Sequence, residues 1–215
     1  MNVTILAPGH RRRGAHAMSI APDDAQRETH YLYRTMRDFV SSMDDTLPGK
    51  FEITKEGIVH DMMAPGKPHE LTVLRVRKRL ERVMPDELAA HTGEPDVEDE
   101  PEGIMRHPDV MVIAEADMEG DGRFDPRTLI AAIEVVSRSN PDNDWVGKMR
   151  DYALLGIPIY VIFDPRTGSG AVLSDIHATP SGPRYATRKE FVYGEDVTIG
   201  EWTIPTTDLP RYADA

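Results

Sequence analysis

Three apolar runs mark the middle of the chain: about residues 109–114 (DVMVIA), 129–136 (LIAAIEVV) and 158–163 (PIYVIF). Runs this short, bounded by turn residues, read as strands buried on both faces. Between the last two lies a well-delimited helix. Asn140 suits the N-cap, Pro141 the first helical position, Asp142 and Asp144 the positive end of the dipole, and Gly156 the stop. Strand, helix and strand in so short a span predict a βαβ unit with two parallel strands joined right-handedly. Upstream, Tyr31, Tyr33, Met36, Phe39 and Val40 recur at helical spacing and predict a first helix over about 28–42. FEITKEGIVHDMMA (51–64) alternates and carries a Gly, as a hairpin does. A second helix is expected from about Pro68 to Val83, with Leu71, Leu74, Val76 and Leu80 as its apolar face. The acidic EPDVEDEPE (94–102) reads as a solvated loop, and residues 170–204 read as a closing antiparallel hairpin. Residues 1–27 show no sustained period and are expected to form a flexible extension, within which Met18 offers an alternative start. Residues 28–215 are expected to form a single domain.

Composition narrows the class. Hydrophobic residues make up 40% and charged residues 29%, which suits a soluble globular domain. With no cysteine, disulfides, thiolate metal sites and cysteine nucleophiles are excluded. No apolar run approaches the roughly 20 residues that span a bilayer. The basic residues of the N-terminal stretch follow its apolar ones, the reverse of a secretory signal, so a cytoplasmic protein is expected. The net charge of −12 disfavours tight non-specific binding to duplex DNA, because phosphate neutralisation supplies most of that affinity.

The candidate chemistry is a pair of carboxylates on the apolar runs. Asp109 heads the first run, where an Asp taken alone is more often a turn cap than a ligand. Glu134 lies within the second, and a buried carboxylate is costly unless paired or metal-bound; on a half-exposed strand it would simply face solvent. Asp144, Lys148 and Tyr152 recur every four residues and share a helix face. That spacing is also the one of a surface ion pair, worth a few tenths of a kcal/mol. The helix nevertheless starts just after the Glu134 strand, at the sheet end where sites of α/β proteins collect. DMEGDG (117–122) has the alternating acids of a calcium loop but Thr128 where that loop needs Glu. Walker-type loops, Gly-x-Ser-x-Gly elbows and His-Glu-x-x-His helices are absent from the sequence.

PDV at 108–110, EVVS at 134–137, DWVGKMRDY at 144–152 and GIPIYVIFD at 156–164, with FEITKEGIV at 51–59 and the element ending at His69, resemble the Uma-type restriction endonucleases. These belong to the PD-(D/E)XK nuclease superfamily, and the likeness covers about residues 50–205. It implies an α/β (α+β) fold with a mixed sheet: a restriction-endonuclease-like core of helix, β-meander, helix and strand, closed by a C-terminal β-hairpin. It also implies that Asp109 and Glu134 bind Mg²⁺ or Mn²⁺, with the main-chain carbonyl of Val135 as a further ligand. The superfamily's lysine two residues after the Glu is replaced by Val136. The Uma-type relatives carry a lysine on the next helix instead, which falls on Lys148. His69 would bind phosphate or the attacking water, and Asp144, Tyr152 and Ser137 would support the site. Relatives place Asp-Gly-Glu in the upstream hairpin where this chain has Lys55-Glu56-Gly57, so the resemblance assigns Glu56 no firm role.

The leading expectation is therefore a metal-dependent endodeoxyribonuclease, a homodimer with DNA as its substrate and no membrane partner. Two alternatives stay open: a non-catalytic nuclease-fold binding domain, and a hydrolase of RNA or another phosphate ester.

Overall fold

The computed structural model describes residues 3–6, 22–43, 46–62 and 65–213. In chain order the elements are β1 (Val3–Leu6), α1 (Pro22–Met43), β2 (Lys50–Thr54), β3 (Gly57–Asp61), α2 (Lys67–Leu80), β4 (Leu88–His91), β5 (Val97–Asp99) and β6 (Ile104–Arg106). Then come β7 (Val110–Ala114), β8 (Leu129–Val135), a π-helical stretch (Asn143–Lys148), α3 (Met149–Leu154), β9 (Ile159–Asp164), β10 (Ser169–His177), β11 (Arg184–Val192), β12 (Asp196–Ile199) and β13 (Trp202–Pro205). Most of the expected N-terminal extension lies outside the described residues. Within it, β1 pairs with β3, and α1 begins at Pro22 rather than near 28. Among the described residues no helix is long and apolar enough to cross a membrane.

Backbone packing divides the chain into two compact units, one drawn from residues 1–64 and 98–106, the other from 65–97 and 107–215. In the first, the expected hairpin is β2–β3, and Tyr33, Met36 and Val40 of α1 pack on Phe51, Ile53, Ile58 and Met105. Tyr31 and Phe39, the other apolar residues of that helix pattern, are exposed. The acidic segment 94–102 is not the solvated loop expected. Val97–Asp99 forms a strand, and Asp96 and Asp99 are buried. Each acid there has a partner: Glu98 accepts from Tyr33 and from Arg37 Nε at 3.2 Å, and Asp99 accepts the Glu102 N–H at 2.9 Å.

The second unit carries the expected core. Its six-stranded sheet runs β11-β10-β9-β8-β7-β4. β4, β7 and β8 form the antiparallel meander, β9 joins β8 in parallel, and β10 and β11 extend the sheet antiparallel. β8 and β9 are buried along nearly their whole length, which is why they read as continuous apolar runs. Gly156, at φ +76°, closes the helix between them in the left-handed conformation that glycine adopts at least cost. The closing segment is two hairpins rather than one, β10–β11 and β12–β13.

α2 is turned relative to its expected face. Leu71 and Leu74 are exposed, whereas His69, Thr72, Val76 and Leu80 form the buried stripe. The polar His69 belongs to that stripe because it has a partner there, Asp109.

Gly170, the second residue of β10, leaves no room for a side chain. A Cβ would run into the Ile162 carbonyl oxygen of β9 and the Phe191 ring of β11. We expect Gly170→Ala to cost about 1–3 kcal/mol, the range for overpacked interiors, read as a lower urea midpoint at unchanged m-value. A midpoint equal to the parent's would show that β9 and β11 leave room for a methyl group at this position.

Candidate active site

Asp109 stands one residue before β7, and the register Val110↔Ile133 brings it opposite Glu134 on β8. Residues directly opposed across an antiparallel pair share a face of the sheet. Asp109 is anchored through one oxygen: its Oδ2 accepts the Val135 N–H at 2.8 Å and lies 3.2 Å from His69 Nε2. His69 sits in the first turn of α2 and is buried, and its Nδ1 is 3.5 Å from Glu70 Oε1.

Glu134 is 1% exposed, which excludes the solvent-facing alternative. Both of its oxygens are engaged: Tyr152 donates to Oε1 at 2.6 Å, and the Lys148 ammonium lies 2.9 Å from Oε2. Lys148 also donates to the His107 carbonyl at 3.3 Å and lies 3.7 Å from Asp144 Oδ1. Asp144 and Lys148 are therefore not a surface pair. Both are buried, and Lys148's nearest acid is Glu134, a residue on another element.

The helix carrying these groups departs from regular α geometry. Residues 143–148 are π-helical and α3 follows directly, so the turn bearing Asp144 and Lys148 is wider than an α turn. Single π turns inside helices often occur where side chains must be re-aimed. Tyr160 of β9 holds the turn by donating to the Asp144 carbonyl at 2.9 Å, and its ring meets Tyr152 edge-on at 5.1 Å. Val136 is fully buried; its N–H donates to the Phe163 carbonyl and its own carbonyl accepts from Tyr212 at 2.8 Å. Ser137 is apart from these contacts in role: its Oγ accepts the Asn140 N–H at 3.3 Å and closes the turn into the helix.

Electrostatics tie the two halves of the cluster together. Burial alone would raise the Asp109 carboxyl, but the hydrogen bond and charge of His69, the charge of Lys148 and the Val135 N–H outweigh it and hold the group well below the usual carboxylate range. Burial likewise works to lower His69, and Asp109, with Glu70 and Asp144 adding, raises it instead. Asp109 and His69 thus form a coupled pair in which each favours the charged form of the other.

A neighbouring cluster is absent from the sequence reading. His107 Nδ1 lies 2.8 Å from Asp96 Oδ1 and 3.6 Å from Glu94 Oε1, and the ligand atoms of the three lie within 4.8 Å of one another. Arg123 Nε is 3.5 Å from the other Asp96 oxygen, so this acid already faces two basic groups. His107 stands two residues before Asp109, immediately ahead of the PDV element at 108–110, and that adjacency is the one sequence signal for it. Asp96 was hidden in the acidic run.

The fold is similar to the crystal structure of a "putative nuclease belonging to DUF820 from Anabaena variabilis ATCC 29413", with a TM-score of 0.60, 15% sequence identity, and coverage of 81% of this chain and 96% of that chain. At that identity the likeness bears on the fold alone. No curated protein matches the chain. The sequence model of the Uma2 family, described as "Putative restriction endonuclease", matches residues 37–206, well over half the chain, and the protein belongs to that family.

Proposed function

We propose that the protein is a metal-dependent endonuclease that hydrolyses DNA phosphodiester bonds. The observation that carries this reading is the buried Lys148 ammonium, 2.9 Å from Glu134, with Asp109 opposite at the entry to the adjoining strand. As a purely structural device such a pair is a poor choice, because well-packed apolar residues in its place are often as stable or more so. Buried charges gathered at one end of a sheet are the pattern of a working site. Membership of a restriction-endonuclease family supports the broader reading of a nuclease.

The residues fit a hard divalent cation. Asp109 and Glu134 offer carboxylate oxygens, the contacts on Asp109 fall on Oδ2 and leave Oδ1 its lone pairs, and the chain has no thiolate to favour a softer metal. These two acids and the main-chain carbonyl of Val135 would hold Mg²⁺ or Mn²⁺, which when bound supplies neutralisation of phosphate charge and a more acidic water. Lys148 stabilises the nucleophile and the charge developing on the phosphate. Tyr152 fixes Glu134, Asp144 orients Lys148, and His69 holds Asp109 ionised and in place. Ser137 keeps the turn that delivers the helix to the site. A two-fold homodimer would supply one such site for each strand of a duplex.

Cleavage of plasmid and single-stranded DNA with Mg²⁺ or Mn²⁺ tests the reading. We expect Glu134→Gln to lower the rate by about 10²–10³, the usual loss when one charge-stabilising group is removed. Parent and variant that are equally inactive, or equally active, would overturn it. RNA cut faster than DNA would change the substrate and leave the roles of the residues intact.

For Lys148→Met we expect a comparable loss of rate together with a loss of stability. Removing the ammonium leaves Glu134 buried beside a neutral side chain, and breaking a buried pair in this way costs about 3–5 kcal/mol. Urea unfolding in EDTA should show that loss, and added Mg²⁺ should recover part of it. An unfolding curve identical to the parent's would mean that the Lys148–Glu134 contact is not formed in solution.

In metal-free protein the His69–Asp109 pair gives stability a defined pH dependence. The folded-state pKa of His69 is raised, so its contribution is complete below about pH 6.5, the unfolded value, and is lost as pH rises through the folded value. Asp109 has the opposite sign: its lowered pKa gives stability above the ordinary carboxylate range that is lost on acidification. His69→Gln should flatten the decline above pH 6.5 in urea unfolding with EDTA present. The same slope in parent and variant would refute the pairing.

A further inference from the structure

Beside the candidate site the second unit has a half-open cavity of about 540 Å³ that the catalytic scheme does not use. Trp145 forms one wall, three residues before Lys148 on the same π-helical turn. Its indole is fixed from behind: Nε1 donates to Asp164 Oδ2 at 3.1 Å, and Arg166 grips both oxygens of that carboxylate. The Arg188 guanidinium of β11 lies over the ring, 5.0 Å from its centroid, and is held by Glu190 at 3.0 Å. Thr167 and Ser169, whose hydroxyls lie 2.7 Å apart, complete a polar floor.

We propose that this cavity receives an unpaired nucleobase of the substrate strand, next to the phosphate that is cut; the proposal rests on the nuclease reading above. Three features select a base. Indole and guanidinium planes are the two platforms on which exposed bases stack. The Glu190 carboxylate and the two hydroxyls can meet the donors and acceptors on a base edge. The acids lining the cavity, Asp164, Glu190 and Glu195, outnumber its one cation, Arg188, so a free phosphate is disfavoured there. A volume of this size suits one nucleotide, and a base within a duplex, stacked on both sides, has to leave the stack to enter it. The substrate is therefore a single strand, or a duplex that is locally opened.

The test is binding in EDTA, where no cleavage is required. With Trp202→Phe as background, Trp145 is the only tryptophan and reports on the cavity. We expect a short single-stranded oligonucleotide to quench its fluorescence saturably. The blunt duplex of the same sequence and inorganic phosphate should quench it far less. With the strand end-labelled, anisotropy should show that Trp145→Leu weakens affinity by roughly 10–100-fold, the usual loss for one stacked base. Trp145→Phe keeps a ring without the bond to Asp164 and should stay within about threefold of the parent, which separates stacking from misfolding. Equal affinity of parent and Trp145→Leu, or quenching by duplex or phosphate as strong as by the single strand, would overturn the proposal. Oligonucleotide binding of the expected kind in a protein that cuts no substrate with Mg²⁺ or Mn²⁺ would sustain the cavity assignment and remove the catalytic one.

Discussion

A carboxylate in the middle of a buried strand has to be neutralised, and the second unit is organised around that need. Glu134 sits among Ile133, Val135 and Val136, all fully or almost fully buried. Without a counter-charge it would be driven towards its neutral form, at a cost of several kcal/mol. Its counter-charge has to come from the neighbouring helix, because Val136 occupies the strand position that would otherwise offer one. Lys148 supplies it, and that contact fixes the rotation of the helix, which in turn places Tyr152 on the second oxygen and Asp144 beside the ammonium. Asp109 is handled by the same logic from the other side, with His69 at the start of α2 as its partner, 3.2 Å away. Two helices are thus oriented by two acids of one sheet.

Much of this fold was legible in the sequence because its central strands are buried on both faces. The runs 129–136 and 158–163 stood out for that reason, and the capping residues and Gly156 delimited the helix between them. Pairing across long separations was less legible. β1 meets β3, and the acidic run 94–102 enters a sheet, through partners that no local pattern announces. The site was legible as a list and not as an arrangement. By spacing alone Asp144 and Lys148 are an ordinary surface pair, the placement of their helix points to a site, and only the position of β8 reveals Glu134 as the lysine's nearer acid. His69 was found by resemblance, whereas the face of α2 was right at Val76 and Leu80 and wrong at Leu71 and Leu74, because leucines are assumed to point inward and a histidine outward. Here the histidine's bond to Asp109 wins.

The net charge of −12 also reads differently once partners are known. The basic last turn of α2 looks available for phosphate, yet Arg79 donates to the Pro205 and Thr207 carbonyls at 2.9 Å and pairs with Asp208, and Arg75 is bonded to the same segment. These arginines pin the C-terminal stretch to α2. Tyr212 and Arg138 continue the tether, through the Val136 and Ala213 carbonyls, to the turn that follows β8. Cations that would be read as an electrostatic footprint are thus partly structural, and composition overstates what remains for a ligand.

The π-helical turn at 143–148 has an evolutionary consequence. A π turn holds more residues than an α turn, so this stretch carries more chain per turn than the regular helix that follows. Losing one residue there would let the helix relax to α geometry and swing everything on one side of the deletion by about 100° relative to the other. Trp145 and Lys148 would then no longer face the same end of the sheet, even though every side chain had been retained. In this stretch, chain length constrains the arrangement as much as residue identity does: substitutions can be sampled one at a time, but a deletion has to be compensated at once or not at all.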